Sequence, residues 1–152
     1  YGDSGEDLLY PLFLGYPWYI RGYEGTTFYQ NQDISQSKIT VDQLIGTRIA
    51  VANAEFRIPF SGPEQLALIE SNYFLTQLAI FFDGGLAWTQ HDKPDFKWQA
   101  ESQQDRIPVF STGISLRVNL FGYMVLEPFY AFPLQTSGFE QGVFGLNFIP
   151  GW

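Results

Sequence analysis

Cysteine is absent from the 152 residues, so the chain has neither a disulfide framework nor a thiolate metal site. Histidine occurs once, as His91. Charge is also scarce: charged residues make up 16% of the chain, against about 25% in ordinary soluble domains. Basic residues are fewer still, with 8 Lys and Arg against 16 Asp and Glu. The resulting net charge of −8, with no basic patch interleaved with aromatics, argues against a nucleic-acid partner and against anionic surfaces. No long apolar run exists either. Asn53, Glu55, Arg57, Gln77, Asp83, Arg117 and Glu127 interrupt every hydrophobic stretch, which excludes a transmembrane helix. An initiator Met and a signal-peptide pattern are missing from the start at Tyr1, as expected of a mature or truncated product.

What the chain has in plenty is aromatic side chains, 18% of all residues. With so little charge, much of the surface is expected to face something other than water. The mean hydropathy is −0.08, the near-zero value that results when lipid-facing and lumen-facing residues alternate along membrane-spanning strands and average out. A cysteine-free composition of this kind suits a bacterial envelope protein.

Alternation with a period of two, the mark of a strand with two different faces, runs through four segments. From Thr47 to Phe60 the even positions Ala50, Ala52, Ala54, Phe56, Ile58 and Phe60 are apolar, while the odd ones include Asn53, Glu55 and Arg57. From Phe74 to Trp88 the even set holds Leu78, Ile80, Phe82 and Leu86, and the odd set Gln77, Asp83 and Gly85. From Val109 to Leu120, Ile114, Leu116 and Val118 oppose Ser111, Ser115, Arg117 and Asn119. In the last segment, Gln141 to Trp152, Phe144, Leu146 and Phe148 oppose Gly145 and Asn147. Between these, Tyr123 to Leu134 reads as a fifth strand despite Pro128 and Pro133, which cannot donate to a ladder and mark edges or bulges. If Arg117 and Glu127 share the polar face, Phe121-Gly122-Tyr123 must be a three-residue turn that sets them directly opposite each other.

These segments exceed the usual 5 to 6 residues of globular strands and match the tilted spans of a membrane barrel. Their connections alternate between long polar ones (31–43 and 89–107) and shorter ones, as in barrels with long outer loops and short periplasmic turns, with 61–72 intermediate. A soluble β-sandwich would also alternate. Against it stand the strand lengths, the charged composition of one face, and aromatics near strand ends (Phe60, Phe74, Trp88, Phe110, Tyr123, Trp152), where interfacial girdles lie.

The block Tyr19-Ile20-Arg21-Gly22-Tyr23 resembles the Arg-Gly-Phe/Tyr motif at the tip of the sixth extracellular loop of the BamA-like superfamily, the bacterial surface antigen proteins. An ordered series follows it. Ala54-Glu55-Phe56-Arg57-Ile58-Pro59 is similar to the family strand ending Leu-Glu-Phe/Leu-x-x-Pro, and Phe81-Phe82-Asp83-Gly84-Gly85-Leu86-Ala87-Trp88 to its Phe-x-Asp-x-Gly-x-x-Trp strand. Ser111-Thr112-Gly113-Ile114-Ser115-Leu116-Arg117 resembles Ser-x-Gly-x-x-Leu-Arg, Tyr130 to Leu134 the penultimate Tyr-x-x-Pro-Leu, and Phe144 to Trp152 the terminal strand. The five motifs cover nearly the whole chain in the family order. A further resemblance joins Tyr10 to Pro17 to members whose barrel follows a soluble propeller of the TolB type.

The resemblance implies an all-β fold: a transmembrane antiparallel β-barrel of which this chain supplies the last five strands of sixteen. Residues 1–45 would form the extracellular loop with its lumen-inserted motif, and 46–152 the strands. It further implies that Arg21 pairs with Glu55 and Asp83, with Gly22 and Tyr23 completing the loop lock. Strand parity independently puts both carboxylates on the polar face. A guanidinium presents a planar fork that carboxylates accept bidentately, worth about 1 to 3 kcal/mol in a wet lumen. Phe144, Leu146, Phe148 and Trp152 resemble the C-terminal signal read by the barrel-assembly machinery, on an edge strand able to pair with another sheet. There Pro150 removes one ladder donor near the seam, or else lies past the last pair.

Five strands cannot close a barrel, so upstream strands of the same protein are the expected partner, together with outer-membrane lipid and lipopolysaccharide. Client outer-membrane proteins and accessory envelope proteins are further expected partners. The expected location is the bacterial outer membrane, and the expected function is aiding insertion or translocation of proteins, without enzymatic activity, cofactor or metal. The alternative is a barrel that anchors or scaffolds a propeller or phospholipase domain. Two other patterns carry less. Gly2-Asp3-Ser4-Gly5 resembles a protease nucleophile motif, but Glu6 stands where a third Gly belongs and no triad can be assembled. His91 and Asp92 are too few for a metal site and read as a solvated loop.

Overall fold

A computed structural model describes residues 10–25, 39–62, 69–70, 74–102, 104–120, 123–136 and 139–150. Its principal sheet contains five long strands in sequence order: β3 (Arg48–Gly62), β5 (Phe74–Trp88), β6 (Val109–Leu120), β7 (Met124–Pro133) and β8 (Val143–Pro150). Every neighbouring pair among them is antiparallel. A two-residue strand, β4 (Ile69–Glu70), adds to the outer edge of β3 in parallel, and it lies within the connection that the sequence marks only as intermediate in length. A second small sheet joins β1 (Leu12–Phe13) to β2 (Ile45–Gly46), with a single 3-10 turn at Val41–Leu44 before β2. Strands β5 and β6 coincide end to end with the expected segments. The sheet is all-β and open, with the short β4 outside β3 at one end and β8 at the other, as befits part of a larger barrel.

Register is continuous over most of the sheet. The shift between Pro59 and Ser61 is a bulge at the point where a proline would interrupt the ladder anyway, and it carries β3 two residues beyond its expected end. Leu120 pairs with Met124, so three residues separate the two strands, the spacing that a shared polar face for Arg117 and Glu127 calls for. Arg117 and Glu127 consequently meet, Nη2 to Oε2 at 3.0 Å. At the far edge, Pro150 lies inside the ladder opposite Met124, so the reading that placed it past the last pair falls.

The two faces of the sheet differ as parity predicts. Phe56, Ile80, Phe82, Ile114, Leu116, Phe144, Leu146 and Phe148 project outward and are exposed, whereas Phe81, Asp83, Ser111, Ser115, Glu127, Phe129 and Ala131 on the other face are buried. An apolar outside and a polar inside are the arrangement of a membrane barrel. Above the inner face, residues 10–23 fold back over the upper ends of β5 and β6. Leu14, Ile20, Tyr23, Ile39, Leu44, Ala87, Ile107 and Val109 form one buried apolar cluster there. That cluster, together with the β1–β2 pairing, fixes where the Arg-Gly-Tyr segment can reach.

Candidate functional site: the arginine lock on the inner face

The segment that carries Arg21 is shaped locally first. The Tyr16 carbonyl accepts hydrogen bonds from the amides of Tyr19 (2.8 Å) and Ile20 (3.0 Å), and the Trp18 ring stacks on Tyr16 with centroids 4.5 Å apart. This tight turn drops Ile20 into the apolar cluster and leaves the next side chain pointing at the strand wall. Gly22 then takes φ 90°, in the left-handed region that only glycine enters without strain. A Cβ there would also come within 3.0 Å of Ala131.

Arg21 is 4% exposed and meets carboxylates from three strands. Its Nε and Nη2 donate to the two oxygens of Asp83 on β5, each at 2.8 Å, a bidentate pair. Its Nη1 lies 2.8 Å from Glu55 Oε1 on β3 and 3.1 Å from Glu127 Oε1 on β7. The backbone amide of Arg21 adds a longer bond to Asp83 at 3.3 Å. Asn53 donates to Asp83 Oδ1 at 2.9 Å and to the Tyr19 carbonyl at 2.9 Å, so the acid and the loop backbone share one amide.

Beneath the guanidinium lies the Phe81 ring, its centroid 3.6 Å from Cζ, within the range of a cation–π contact. Phe81 reaches this position by lying over its cross-strand neighbour Gly113, where a Cβ would come within 2.8 Å of the ring.

The charges balance. Arg57 pairs with Glu55, and Arg117 with Glu127, so three guanidinium groups (Arg21, Arg57, Arg117) face three carboxylates (Glu55, Asp83, Glu127). A buried charge needs both pairing and hydrogen bonds to offset its desolvation, and this cluster supplies both. For Arg21 itself, burial disfavours the charged form, but hydrogen bonding and charge at Asp83, with Glu55, outweigh it, and the guanidinium is held above its ordinary range.

Tyr23 anchors the other side of the motif. Its hydroxyl, fully buried, has two acceptors for its proton, the Gln135 side-chain oxygen (2.7 Å) and the Phe110 carbonyl (2.9 Å), and it accepts from the Gln135 amide at 3.2 Å. Burial raises its pKa above the ordinary tyrosine value, although the bonds at Gln135 and Phe110 act in the opposite direction. Burial likewise pushes Glu24 up against a hydrogen bond from the Gly22 backbone. Its Oε1 has no partner among the described residues.

The structure therefore brings Arg21, Glu55 and Asp83 into contact and sets Gly22 and Tyr23 beside them. Parity places Glu127 on this face opposite Arg117 only if the connection at 121–123 has three residues, and does not assign it to Arg21. Asn53 and Phe81 stood on the same odd-numbered face, whereas no sequence signal pointed to Gln135. The C-terminal group is elsewhere: Phe144, Leu146 and Phe148 line the outward face of β8, and Trp152 lies outside the described residues, as do Gly2 to Gly5. Asp92 is more than a solvated loop residue, since it pairs with Arg106 at 2.9 Å. The described residues contain no group of three or more metal-ligating side chains. Asp83, Gly84 and Gly85 are strand residues of β5.

In front of the lock is an open cavity of about 230 Å³, lined among others by Trp18, Arg21, Glu55, Arg117, Glu127 and Asn147. A family model described as the Omp85 superfamily domain matches residues 13–151. No curated protein and no solved structure matches the chain.

Proposed function

The chain belongs to the Omp85 superfamily, whose members are outer-membrane proteins, and on that premise we propose that it is the C-terminal part of a bacterial outer-membrane barrel that aids insertion or translocation of proteins. Residues 10–23 act in this reading as a loop held inside the lumen, and upstream strands of the same protein complete the wall. The observation that carries the proposal is Arg21: a nearly buried cation satisfied by Glu55, Asp83 and Glu127 from three separate strands. A loop that only covered the barrel mouth would have no need to carry a charge to the wall, where desolvation makes an incomplete site unfavourable.

The seam supports the same reading. Strand β8 has 8 residues against 15 in β3, and Pro150, opposite Met124, has no backbone donor, so this open edge of the sheet is short and one donor poorer. A weakly closed edge is suited to pairing with an incoming strand. The machine is non-enzymatic on this view and needs no cofactor.

The test compares Arg21→Ala, Glu55→Gln and Asp83→Asn, singly and combined, in the full-length protein. Two properties are measured: heat-modifiable gel mobility, which reports barrel assembly, and insertion of a client barrel into vesicles. Variants that assemble but lose insertion support the proposal. If single and combined changes leave both properties intact, the lock does no work, and the barrel is an anchor for a soluble domain.

A further inference from the structure

The connection between β5 and β6, residues 89–108, is built as a braced segment whose aromatic side is turned away from the lock. Its inner side is tied down by Arg106, which donates to the Asp42 and Ile45 carbonyls and pairs with Asp92. Gln43 donates to the Ser102 and Asp105 carbonyls at 3.0 and 3.1 Å, and the Asp95 amide donates to the Arg106 carbonyl at 2.8 Å. So held, the segment presents Phe96, 84% exposed, and Trp98, 53% exposed.

Trp98 has a defined place. Its ring stacks on Phe110 with centroids 5.8 Å apart and 15° between planes, and Phe110 stacks on Phe82 at 5.8 Å and 24°. Phe82 and Phe110 both belong to the even-numbered, outward row of β5 and β6. The column Phe82–Phe110–Trp98 therefore continues the apolar outer face of the sheet beyond the strand ends into the loop. Lys97, between the two aromatics, is neutralised locally by Asp95 at 3.0 Å and Glu101 at 3.8 Å.

We propose that this loop is a membrane-surface element: Trp98 and Phe96 enter the outer boundary of the lipid layer and pin the extracellular end of β5 and β6 to it. The occupant is lipid because the patch is continuous with the row of side chains that faces lipid. Tryptophan at such a boundary gains apolar contact on its ring while its N–H stays near water. The inference rests on the barrel reading above, and its test separates the two.

These 152 residues contain no cysteine, so once any cysteine elsewhere in the full-length protein is replaced, single Cys variants can be labelled cleanly in that protein reconstituted into vesicles. Spin labels at Phe96→Cys, Trp98→Cys, Ile80→Cys on the outer face of β5, and exposed Gln104→Cys are compared for collision with oxygen, which concentrates in lipid, and with a water-soluble nickel chelate. Labels at 96, 98 and 80 are expected to favour oxygen several-fold, and the label at 104 the chelate. A water-like label at 96 or 98, or one shielded from both reagents, with a lipid-like label at 80, overturns the loop proposal alone. A water-like label at 80 overturns the barrel reading beneath it.

Discussion

Phe82 and Asp83 are neighbours on β5, yet the phenylalanine is 48% exposed and the carboxylate fully buried. The contrast extends across the whole sheet. On the outer face, exposed apolar side chains depend on lipid, more than on any one partner, to cover them. On the inner face, each charge depends on a particular partner, and the partner comes from a loop 62 residues away in sequence for Asp83 and 106 away for Glu127. The outer face is defined mainly by polarity, while the charged cluster of the inner face is a fitted set. Substitutions should therefore act in opposite ways on the two sides.

The largest difference is expected between Ile80→Arg and Asn147→Arg. A cation on the outward face near mid-strand should destabilise the barrel by about 2 to 4 kcal/mol, whereas the same cation on the inner face, cross-strand from Glu127, should change stability little. Urea unfolding in vesicles measures both, and equal effects would dissolve the distinction between faces. Next comes Gly22→Ala. Forcing a non-glycine residue to φ 90° costs about 1 to 2 kcal/mol, and the contact with Ala131 adds to it. The docked loop should then open more often, read as faster protease cleavage within the loop while gel mobility stays that of a folded barrel.

Glu127→Gln sharpens the comparison within the inner face. The amide oxygen can still accept a hydrogen bond, so the loss should be near the low end for a bond between charged groups, about 1.5 kcal/mol, and smaller than for Asp83→Asn, which breaks a bidentate pair. Loop-opening rates of the two variants measure it, and the reverse order would mean that β7 and not β5 holds the loop.

The smallest effect concerns pH. Burial raises Glu24 above its ordinary value of 4.5, so the folded state binds that proton more tightly than the unfolded chain does. Its contribution to loop docking is then fully present below pH 4.5 and declines as pH rises through the raised folded value. The difference in docking between the native chain and Glu24→Gln should follow that course, and a pH-independent difference would place Glu24 in water.

Much of this was legible in the sequence because a strand has a period of two and parity is a local property. Glu55 and Asp83 share a face whatever the rest of the chain does, and a three-residue turn is enough to set Arg117 opposite Glu127. The ends of β5 and β6 that flank residues 89–107 are equally local, bounded by a polar connection. The bulge near Pro59 and the parallel pairing of β4 were not legible, since both depend on a neighbouring strand. Asn53 and Phe81 sat in plain view on the inner face, but nothing along the chain distinguishes an inward residue that touches Arg21 from one that does not.

The chain by itself thus determined the two-faced strands, their order and the side on which the acids lie, because each follows from spacing over a few residues. The tertiary structure alone decided that Arg21 takes a third carboxylate from β7, that Phe81 lies under its guanidinium over Gly113, and that Gln135 receives Tyr23. Those choices depend on how far residues 10–23 fold back over the sheet. That depth is fixed by the packing of Leu14, Ile20 and Tyr23 against the strand ends, a contact between distant segments that no local pattern encodes.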